Sequence, residues 1–146
     1  MNNKTVELVN KYIADTGVLF IKWHNLHWNV VGSQFKSVHE FIEGLYDALA
    51  DVLDESAELL KMHEQQPLAS LKEYLAVTTI KELDSKEIKI EDALNIVIED
   101  MLAMNSLAKE IREEANKEDL FDLVSMMEDH IGNYNKNIWF LKATIK

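Results

Sequence analysis

The chain has 146 residues, of which 47% are hydrophobic, which is enough for one domain with a core and too few to indicate two. It contains no cysteine, which excludes disulfides, thiolate nucleophiles and zinc–thiolate clusters, so any metal must be held by imidazole and carboxylate groups. The formal net charge of −11 disfavours nucleic acids and anionic membrane surfaces as partners and favours cations.

The sequence shows no targeting segment. No apolar run reaches the roughly eighteen residues of a membrane span, and MNNKTVELVNKY at the N-terminus lacks the charged segment and apolar block of a secretory signal. The missing cysteines also suit a reducing compartment. We therefore expect a soluble, cytoplasmic protein that does not associate with membranes.

The first two helices are predicted from the helical spacing of apolar residues, which one proline and four glycines do little to interrupt. The first helix is predicted from residue 5 to residue 31 and ends near Gly32. The second begins at Ser37, which forms a capping box with Glu40, and continues to about Met62. Its apolar face consists of residues at three- and four-residue steps, namely Val38, Ile42, Leu45, Leu49, Val52 and Leu59.

Three more helices are predicted in the second half of the chain. Pro67 prevents continuation of the second helix, and LASLKEYLA is predicted to form a short connecting helix. A long helix follows, with bundle spacing at Ile90, Leu94, Val97, Met101, Met104, Ala108 and Ile111. Asn116 with Asp119 is predicted to cap the last helix, which runs to the end of the chain. The expected fold is all-α, a four-helix bundle with a short extra helix between helices two and three.

Four metal-ligand candidates lie on the second helix in two pairs, His39 with Glu43 and Asp54 with Glu58. Each pair is spaced by four residues, so its members lie one turn apart on the same face. At about 100° per residue, the four lie roughly 100° to 200° from the apolar face and point away from the bundle core. A solvated acidic face would account for any one of them alone. The same sector, however, contains small and apolar residues that indicate contact with another helix, namely Tyr46, Ala50, Leu53 and Ala57.

A second copy of the chain is the natural source of that other helix. Because His39 and Asp54 are about 22 Å apart along one helix, a single subunit cannot bring both pairs to one ion. Antiparallel pairing about a two-fold axis would place His39 and Glu43 opposite Asp54 and Glu58 of the partner subunit, and His27 could complete each site. These donors suit Fe(II), with Zn(II), Mn(II) and Co(II) as competitors. A di-iron site inside the bundle would need Glu-x-x-His motifs, and the sequence contains none.

Several separated segments resemble the DNA-protection-during-starvation (Dps) family of ferritin-like proteins, over essentially the whole chain. They are HNLHWNVVG, SVHEFIEGLYDALADVLDESAE, PLASLKEYL and NIWFLKA. The resemblance implies one ferritin-like domain over residues 1–146 and a hollow homododecamer. It further implies that Fe(II) binds between two-fold-related subunits, is oxidised, preferably by hydrogen peroxide, and is stored as ferric mineral, which protects the cell from oxidative damage.

The resemblance also assigns the ligands. His27, His39 and Glu43 would come from one subunit, and Asp54 and Glu58 from the two-fold partner. The family commonly has aspartate at the position of Glu43. The extra methylene lengthens the reach of the carboxylate, so the metal spacing or the second iron position is expected to differ.

Other residues match family features less specifically. Trp28 resembles a tryptophan near the family's iron site, although interface packing explains it equally well. Glu118 and Asp122, expected one turn apart near the start of the last helix, resemble the acidic residues of the family's iron-entrance pores, although acidic residues are also common in a first helical turn. The remaining histidines are expected to have structural roles, namely His24, His63 and His130.

Two alternative functions remain open from the sequence. A DNA-compacting nucleoid protein is disfavoured because the segment before the first helix carries only Lys4, and the net charge is negative. Direct DNA binding is therefore not expected. A structural cage with a weak or vestigial metal site is the other alternative, and Glu43 is the residue that motivates it.

Overall fold

Five helices account for most of the computed structural model, which describes residues 1–146. In chain order the elements are α1 (Asn3–Asn29), β1 (Val30–Val31), α2 (Phe35–Met62), α3 (Leu71–Val77), β2 (Ile88–Lys89), α4 (Ile90–Lys117) and α5 (Phe121–Ile145). Four long helices form the bundle, and α3 lies in the connection between α2 and α4. The predicted fold class and the extra short helix are both confirmed.

One continuous core holds the bundle together. α1 packs mainly on α2 and α4 mainly on α5, while α1 also contacts α3 and α4. The core contains residues from all four long helices, with Trp23 and Tyr12 of α1 among its largest fully buried side chains. Non-directional burial of such apolar surface is the main stabilising contribution. None of the helices has the length and apolar character needed to cross a bilayer.

A two-residue parallel bridge joins the end of α1 to the start of α4. Val30 pairs with Ile88 and Val31 with Lys89, so α1 ends at Asn29 and not at residue 31 as predicted. The chain then turns at Gly32, whose φ of +151° is rarely adopted by residues with a side chain. A Cβ atom there would lie 2.8 Å from Cδ1 of Ile90, so the turn also requires the space that glycine leaves.

The capping box predicted for α2 is wrong. The helix begins two residues earlier, at Phe35, and Gln34 in the N-cap position makes no side-chain capping bond. Ser37 is already inside the first turn, where its hydroxyl donates to the Gln34 carbonyl at 3.2 Å. Glu40 pairs instead with Lys36 at 3.9 Å. The turn at Gly32 starts the helix early, because Phe35 N–H donates to the Gly32 carbonyl.

The cap predicted for the last helix is also wrong. α4 continues through Asn116 to Lys117, and Asp119 lies in the connection with a φ of +56°. Leu120 precedes α5 and makes no side-chain capping bond. Side-chain caps form instead at α1, where Asn2 Oδ1 accepts from the Thr5 N–H at 2.9 Å, and at α3, where Ser70 Oγ accepts from the Glu73 N–H at 3.2 Å.

Candidate metal centre

The turn between α1 and α2 brings His27 and His39 into direct contact. Their rings stack with centroids 3.6 Å apart and planes 13° apart. His27 is 5% exposed, and the Phe35 ring stacks on the outer side of His39 at 4.9 Å. The two imidazoles, twelve positions apart in sequence, therefore form one side-chain unit.

Reciprocal hydrogen bonds orient both rings. Nδ1 of His27 donates to the backbone carbonyl of His39, and Nδ1 of His39 donates to the backbone carbonyl of His27, each at 2.7 Å. Because a carbonyl can only accept, the proton of each neutral ring lies on Nδ1. Each Nε2 then carries a free lone pair, which is the arrangement found in metal-ligating histidines whose other nitrogen is bonded to a second partner.

Glu43 adds a carboxylate to this pair. Its Oε1 lies 3.8 Å from Nε2 of His27, and its side chain is 52% exposed. Tyr46 packs beside them with its ring edge-on to His27 at 5.1 Å. Burial, followed by the nearby charges of Glu43 and Asp47, raises the pKa of Tyr46, so the phenol stays neutral and can donate a hydrogen bond.

Asp54 and Glu58 lie apart from this group. Both are exposed and both lie on α2, which is continuous from Phe35 to Met62. The fifteen residues from His39 to Asp54 correspond to about 22 Å at 1.5 Å per residue. Within one chain, no group of three or more His, Asp or Glu side chains converges closely enough to hold a metal ion.

The exposed side of α1 carries two further aromatic groups next to His27. Trp28 is 66% exposed, and its ring centroid lies 5.4 Å from that of His24. His24 stacks on Tyr46 at 3.6 Å and its Nδ1 bonds to the Phe20 carbonyl at 2.5 Å. An exposed tryptophan next to a candidate ligand fits either a site residue or an interface residue.

Glu118 and Asp122 are not one turn apart on one helix, which corrects the prediction. Glu118 follows the end of α4, and its carboxylate accepts hydrogen bonds from the Asn2 N–H at 2.7 Å and the Thr5 hydroxyl at 2.6 Å. Asp122 lies in the first turn of α5 and pairs with Nε2 of His63 at 2.8 Å. The connection between α4 and α5 separates them, so each carboxylate has its own partners within the chain.

A buried polar group escaped the sequence analysis. His130 of α5 is 4% exposed and bonds through Nε2 to Glu55 of α2 and through Nδ1 to the Tyr12 hydroxyl of α1. The periodicity of α5 places position 130 on its buried face, but the sequence does not show which residues of other helices meet it there.

The donor set of the site fits a divalent transition metal. Two imidazole nitrogens with free lone pairs and carboxylates on the same surface are borderline and hard ligands, which suit Fe(II) as well as Zn(II), Mn(II) and Co(II). The surface around Glu43 is open, so a further ligand from another chain has access.

Comparisons with known proteins identify relatives over nearly the whole chain. The ferritin-like domain family matches residues 6–146. The DNA protection during starvation protein of Helicobacter pylori is 34% identical over 96% of this chain and 97% of its own length. The crystal structure of antigen TpF1 from Treponema pallidum is 34% identical, covers 99% of this chain and 96% of that chain, and superimposes with a TM-score of 0.95.

A third relative places the fold in a wider group. The Dps protein of Vibrio cholerae is described as a member of a broad superfamily of ferritin-like diiron-carboxylate proteins. It is 25% identical, covers 98% of this chain and 89% of that chain, and superimposes with a TM-score of 0.93.

Proposed function

Because the chain belongs to the DNA-protection-during-starvation (Dps) family of ferritin-like proteins, we propose that it is an iron-oxidising and iron-storing cage protein. Fe(II) is its substrate and ferric mineral its stored product. The enzyme activity is that of a ferroxidase, preferably with hydrogen peroxide as the oxidant. Consuming both reagents together protects the cell from the radicals that Fe(II) and peroxide otherwise generate.

The observation that carries this proposal is the paired orientation of His27 and His39. Both Nδ1 atoms are bonded to backbone carbonyls at 2.7 Å, which leaves both Nε2 atoms without a hydrogen bond inside the chain, and Nε2 of His27 lies 3.8 Å from Glu43. A purely structural pair of histidines would not need two free lone pairs next to an exposed carboxylate. Such an arrangement is suited to binding a cation that arrives from solution.

The complete site is proposed to form between two subunits. Asp54 and Glu58 of the partner subunit would supply the missing carboxylates, since the same helix carries both halves of the site about 22 Å apart. A two-fold axis through the middle of α2 would give two identical sites at each contact between two subunits. The proposed assembly is a homododecamer in the cytoplasm.

The chemistry follows from the charges of the ligands. Reduction of hydrogen peroxide to two water molecules consumes two protons and one electron from each of two Fe(II) ions. The carboxylates of Glu43, Asp54 and Glu58 attract Fe(III) more strongly than Fe(II), because the Coulomb energy grows with the charge of the ion. His27 and His39 hold Fe(II) through neutral nitrogens before it is oxidised.

Glu43 distinguishes this site from the family's usual aspartate. Its carboxylate already approaches Nε2 of His27 at 3.8 Å, so the longer side chain reaches toward the histidine pair. We expect the Glu43→Asp variant to change the occupancy of the second iron position more than that of the first. Trp28 near the site, and Glu118 and Asp122 at an iron-entrance pore, remain proposals of the same kind.

The test compares the wild-type protein with the double variant His39→Ala/Asp54→Ala. Fe(II) is added anaerobically, peroxide follows, and the rate of Fe(III) formation is measured by absorbance. The wild type should oxidise Fe(II) much faster than the variant, because the variant lacks a ligand from each half of the site. Glu110→Ala is the matched control, since Glu110 is an exposed carboxylate of α4 outside the site.

Two outcomes would contradict the proposal. Equal oxidation rates in the wild type and the double variant would exclude these ligands from the reaction. An intact oligomer that binds neither Fe(II) nor Zn(II) in calorimetry would instead identify a structural cage with a vestigial site. Native mass spectrometry with and without iron reports the assembly and its loading in one measurement.

A further inference from the structure

A continuous chain of hydrogen bonds runs through the core from α2 to α1. The Glu55 carboxylate of α2 contacts Nε2 of His130, and Nδ1 of His130 lies 2.9 Å from the Tyr12 hydroxyl. The Tyr12 hydroxyl also lies 2.5 Å from the hydroxyl of Tyr134, which is one turn beyond His130 on α5. None of these four residues belongs to the proposed iron ligands.

The donor and acceptor of every hydrogen bond in this series follow from the Glu55 carboxylate at one end. A carboxylate only accepts, so Nε2 of His130 donates to Glu55 and Nδ1 of the neutral ring must accept. The Tyr12 hydroxyl therefore donates to His130, and its oxygen accepts from the Tyr134 hydroxyl. Tyr12 thus has a proton acceptor on one side and a hydrogen-bond donor to its oxygen on the other.

Burial separates this phenol from water. Tyr12 is 0% exposed and His130 is 4% exposed, and their rings lie nearly parallel, 8° apart. Burial, with a contribution from Tyr134, raises the pKa of Tyr12 well above its usual value. The phenol therefore keeps its proton in the resting protein and cannot be oxidised through a pre-formed phenolate.

We propose that Tyr12 is a redox-active residue that gives up one electron while its proton moves to His130. The O–H bond of Tyr12 breaks, its proton forms a bond with Nδ1 of His130, and a neutral tyrosyl radical remains. The resulting imidazolium is stabilised by Glu55, and the radical oxygen keeps the hydrogen bond from Tyr134. The electron reduces a one-electron oxidant at the protein surface, for example a hydroxyl radical, which takes a solvent proton and becomes water.

The position of Glu55 connects this group to the surface where such oxidants would arise. Glu55 directly follows Asp54 and precedes Glu58 by three residues on α2, and its side chain is 48% exposed. A radical formed where Fe(II) meets peroxide would be separated from Tyr12 by Glu55 and His130. That source of the oxidant rests on the proposed function, whereas the chemistry of the tyrosine itself does not.

The experiment uses the iron-free assembly, so its result is independent of any ferroxidase activity. Azide radicals generated by pulse radiolysis serve as the oxidant, and the tyrosyl radical is followed by transient absorbance and freeze-quench electron paramagnetic resonance. The wild type should show a long-lived tyrosyl signal, and Tyr12→Phe should lose most of it. Tyr74→Phe is the matched control, because Tyr74 of α3 packs near Gly17, outside the hydrogen-bonded chain.

A second variant separates proton transfer from simple packing. His130→Gln retains Tyr12 but removes the proton acceptor, so the radical yield should fall although the phenol is present. Native mass spectrometry and circular dichroism check that each variant assembles and folds. If a variant does not fold, electron–nuclear double resonance of the wild-type radical in H₂O and D₂O provides the test, because the radical oxygen should show exchangeable protons from His130 and Tyr134.

The proposal is overturned by any of three results. The long-lived signal could be the same in Tyr12→Phe as in the wild type, or His130→Gln could keep the full radical yield. The wild-type radical could also lack exchangeable proton couplings. Failure of Fe(II) oxidation by peroxide would affect only the ferroxidase proposal, since no iron is present in this experiment.

Discussion

At the scale of single residues, the role of each histidine depends on the partners of its two nitrogens. His27 and His39 each use Nδ1 on a carbonyl and keep Nε2 free, whereas His130 uses both nitrogens and has no lone pair for a metal. The sequence, through its family resemblance, predicted which two histidines would lie together. It could not predict their tautomers, because these depend on carbonyl positions set by the turn at Gly32.

A buried ion pair offers a stability prediction at the same scale. Lys22 Nζ lies 2.8 Å from Asp100 Oδ1, and both side chains are less than 10% exposed, at 5% and 8%. Burial raises the pKa of Asp100 even though Lys22 is its partner. Lys22→Met should cost roughly 3 to 5 kcal/mol of unfolding free energy, because it leaves Asp100 buried without its counter-charge.

The measurement is the urea midpoint of unfolding, with a second substitution as the check. Adding Asp100→Asn to Lys22→Met should recover most of the loss, because the asparagine oxygen still accepts from Trp23 Nε1, now 3.1 Å from Asp100. Lys36→Met is the exposed control and should change the midpoint little, since the pair with Glu40 is solvated. Equal effects of Lys22→Met and Lys36→Met would contradict the argument.

Glu114 provides a prediction of pH dependence. Hydrogen bonds from Lys117 and Lys4 lower the pKa of Glu114 below the usual 4.5. Because folding lowers this pKa, the ionised Glu114 carboxylate contributes fully to the free energy of unfolding above about pH 4.5. That contribution disappears as the pH falls through the lowered pKa of the folded state. Melting temperatures of wild type and Glu114→Gln should therefore differ at neutral pH and converge in acid. A difference that persists at the lowest pH would contradict this assignment.

At the scale of elements, the number and order of the helices were predictable from the sequence, and the exact residues at which they begin and end were not. The apolar faces of α2 and α4 are buried as predicted, for example at Leu49 and Ile111. The prediction is reliable here because the apolar spacing repeats at many positions along each helix. The caps at Ser37 and Asn116 were wrong because a cap depends on the path of a few connecting residues. The two-residue bridge between β1 and β2 is too short to leave any pattern in the sequence.

Alanine substitutions at Gly32 and Gly132 are predicted to change the free energy of unfolding in opposite directions. Gly32→Ala should destabilise the protein by about 1 to 3 kcal/mol, because it forces a side chain into a left-handed backbone conformation and against Ile90. Gly132→Ala should stabilise it by roughly 0.5 to 1 kcal/mol, since a helical Cβ at that exposed site meets no atom within 4 Å. Thermal unfolding measures both, and shifts of the same sign would show that the strain argument fails.

At the scale of the whole molecule, the positions of the candidate ligands along α2 decide whether one chain can form a complete metal site. It carries His39 and Glu43 near one end and Asp54 and Glu58 toward the other, with no route for both pairs to meet within one subunit. The spacing of these residues was sufficient to predict a two-fold contact. The prediction of a twelve-subunit assembly rests on the family resemblance alone, because a single helix surface does not specify the other contacts between subunits.

Mixed assemblies provide the sharpest prediction for the shared site. Subunits with His39→Ala and subunits with Asp54→Ala should each be inactive alone, yet a random equal mixture should regain about one quarter of the wild-type rate. Half of the two-fold contacts are then unlike, and each unlike contact contains one intact site. A mixture of His27→Ala with His39→Ala subunits should regain nothing, because both changes affect the same half. Recovery in both mixtures, or in neither, would exclude the shared site.

The charge of the molecule predicts its behaviour toward DNA. With a net charge of −11, the protein is expected to make few of the phosphate contacts on which non-specific DNA binding depends. A gel shift at low salt should show unretarded DNA at protein concentrations that saturate the iron sites. Retardation that disappears at higher salt would show that an assembled surface binds the phosphate backbone.

Because His27 and His39 bond to each other's backbone, the segment that contains them could be transferred to another protein with its ring orientations preserved. The two carbonyls that accept from the ring nitrogens belong to residues 27 and 39 themselves, so both tautomers are set by hydrogen bonds within this segment. Transplanting that segment onto another helical hairpin would carry over two aligned imidazoles, provided that a glycine and its space are retained at the turn. Protein engineers could then supply carboxylates from any facing helix and choose the metal through the chemistry of that second surface.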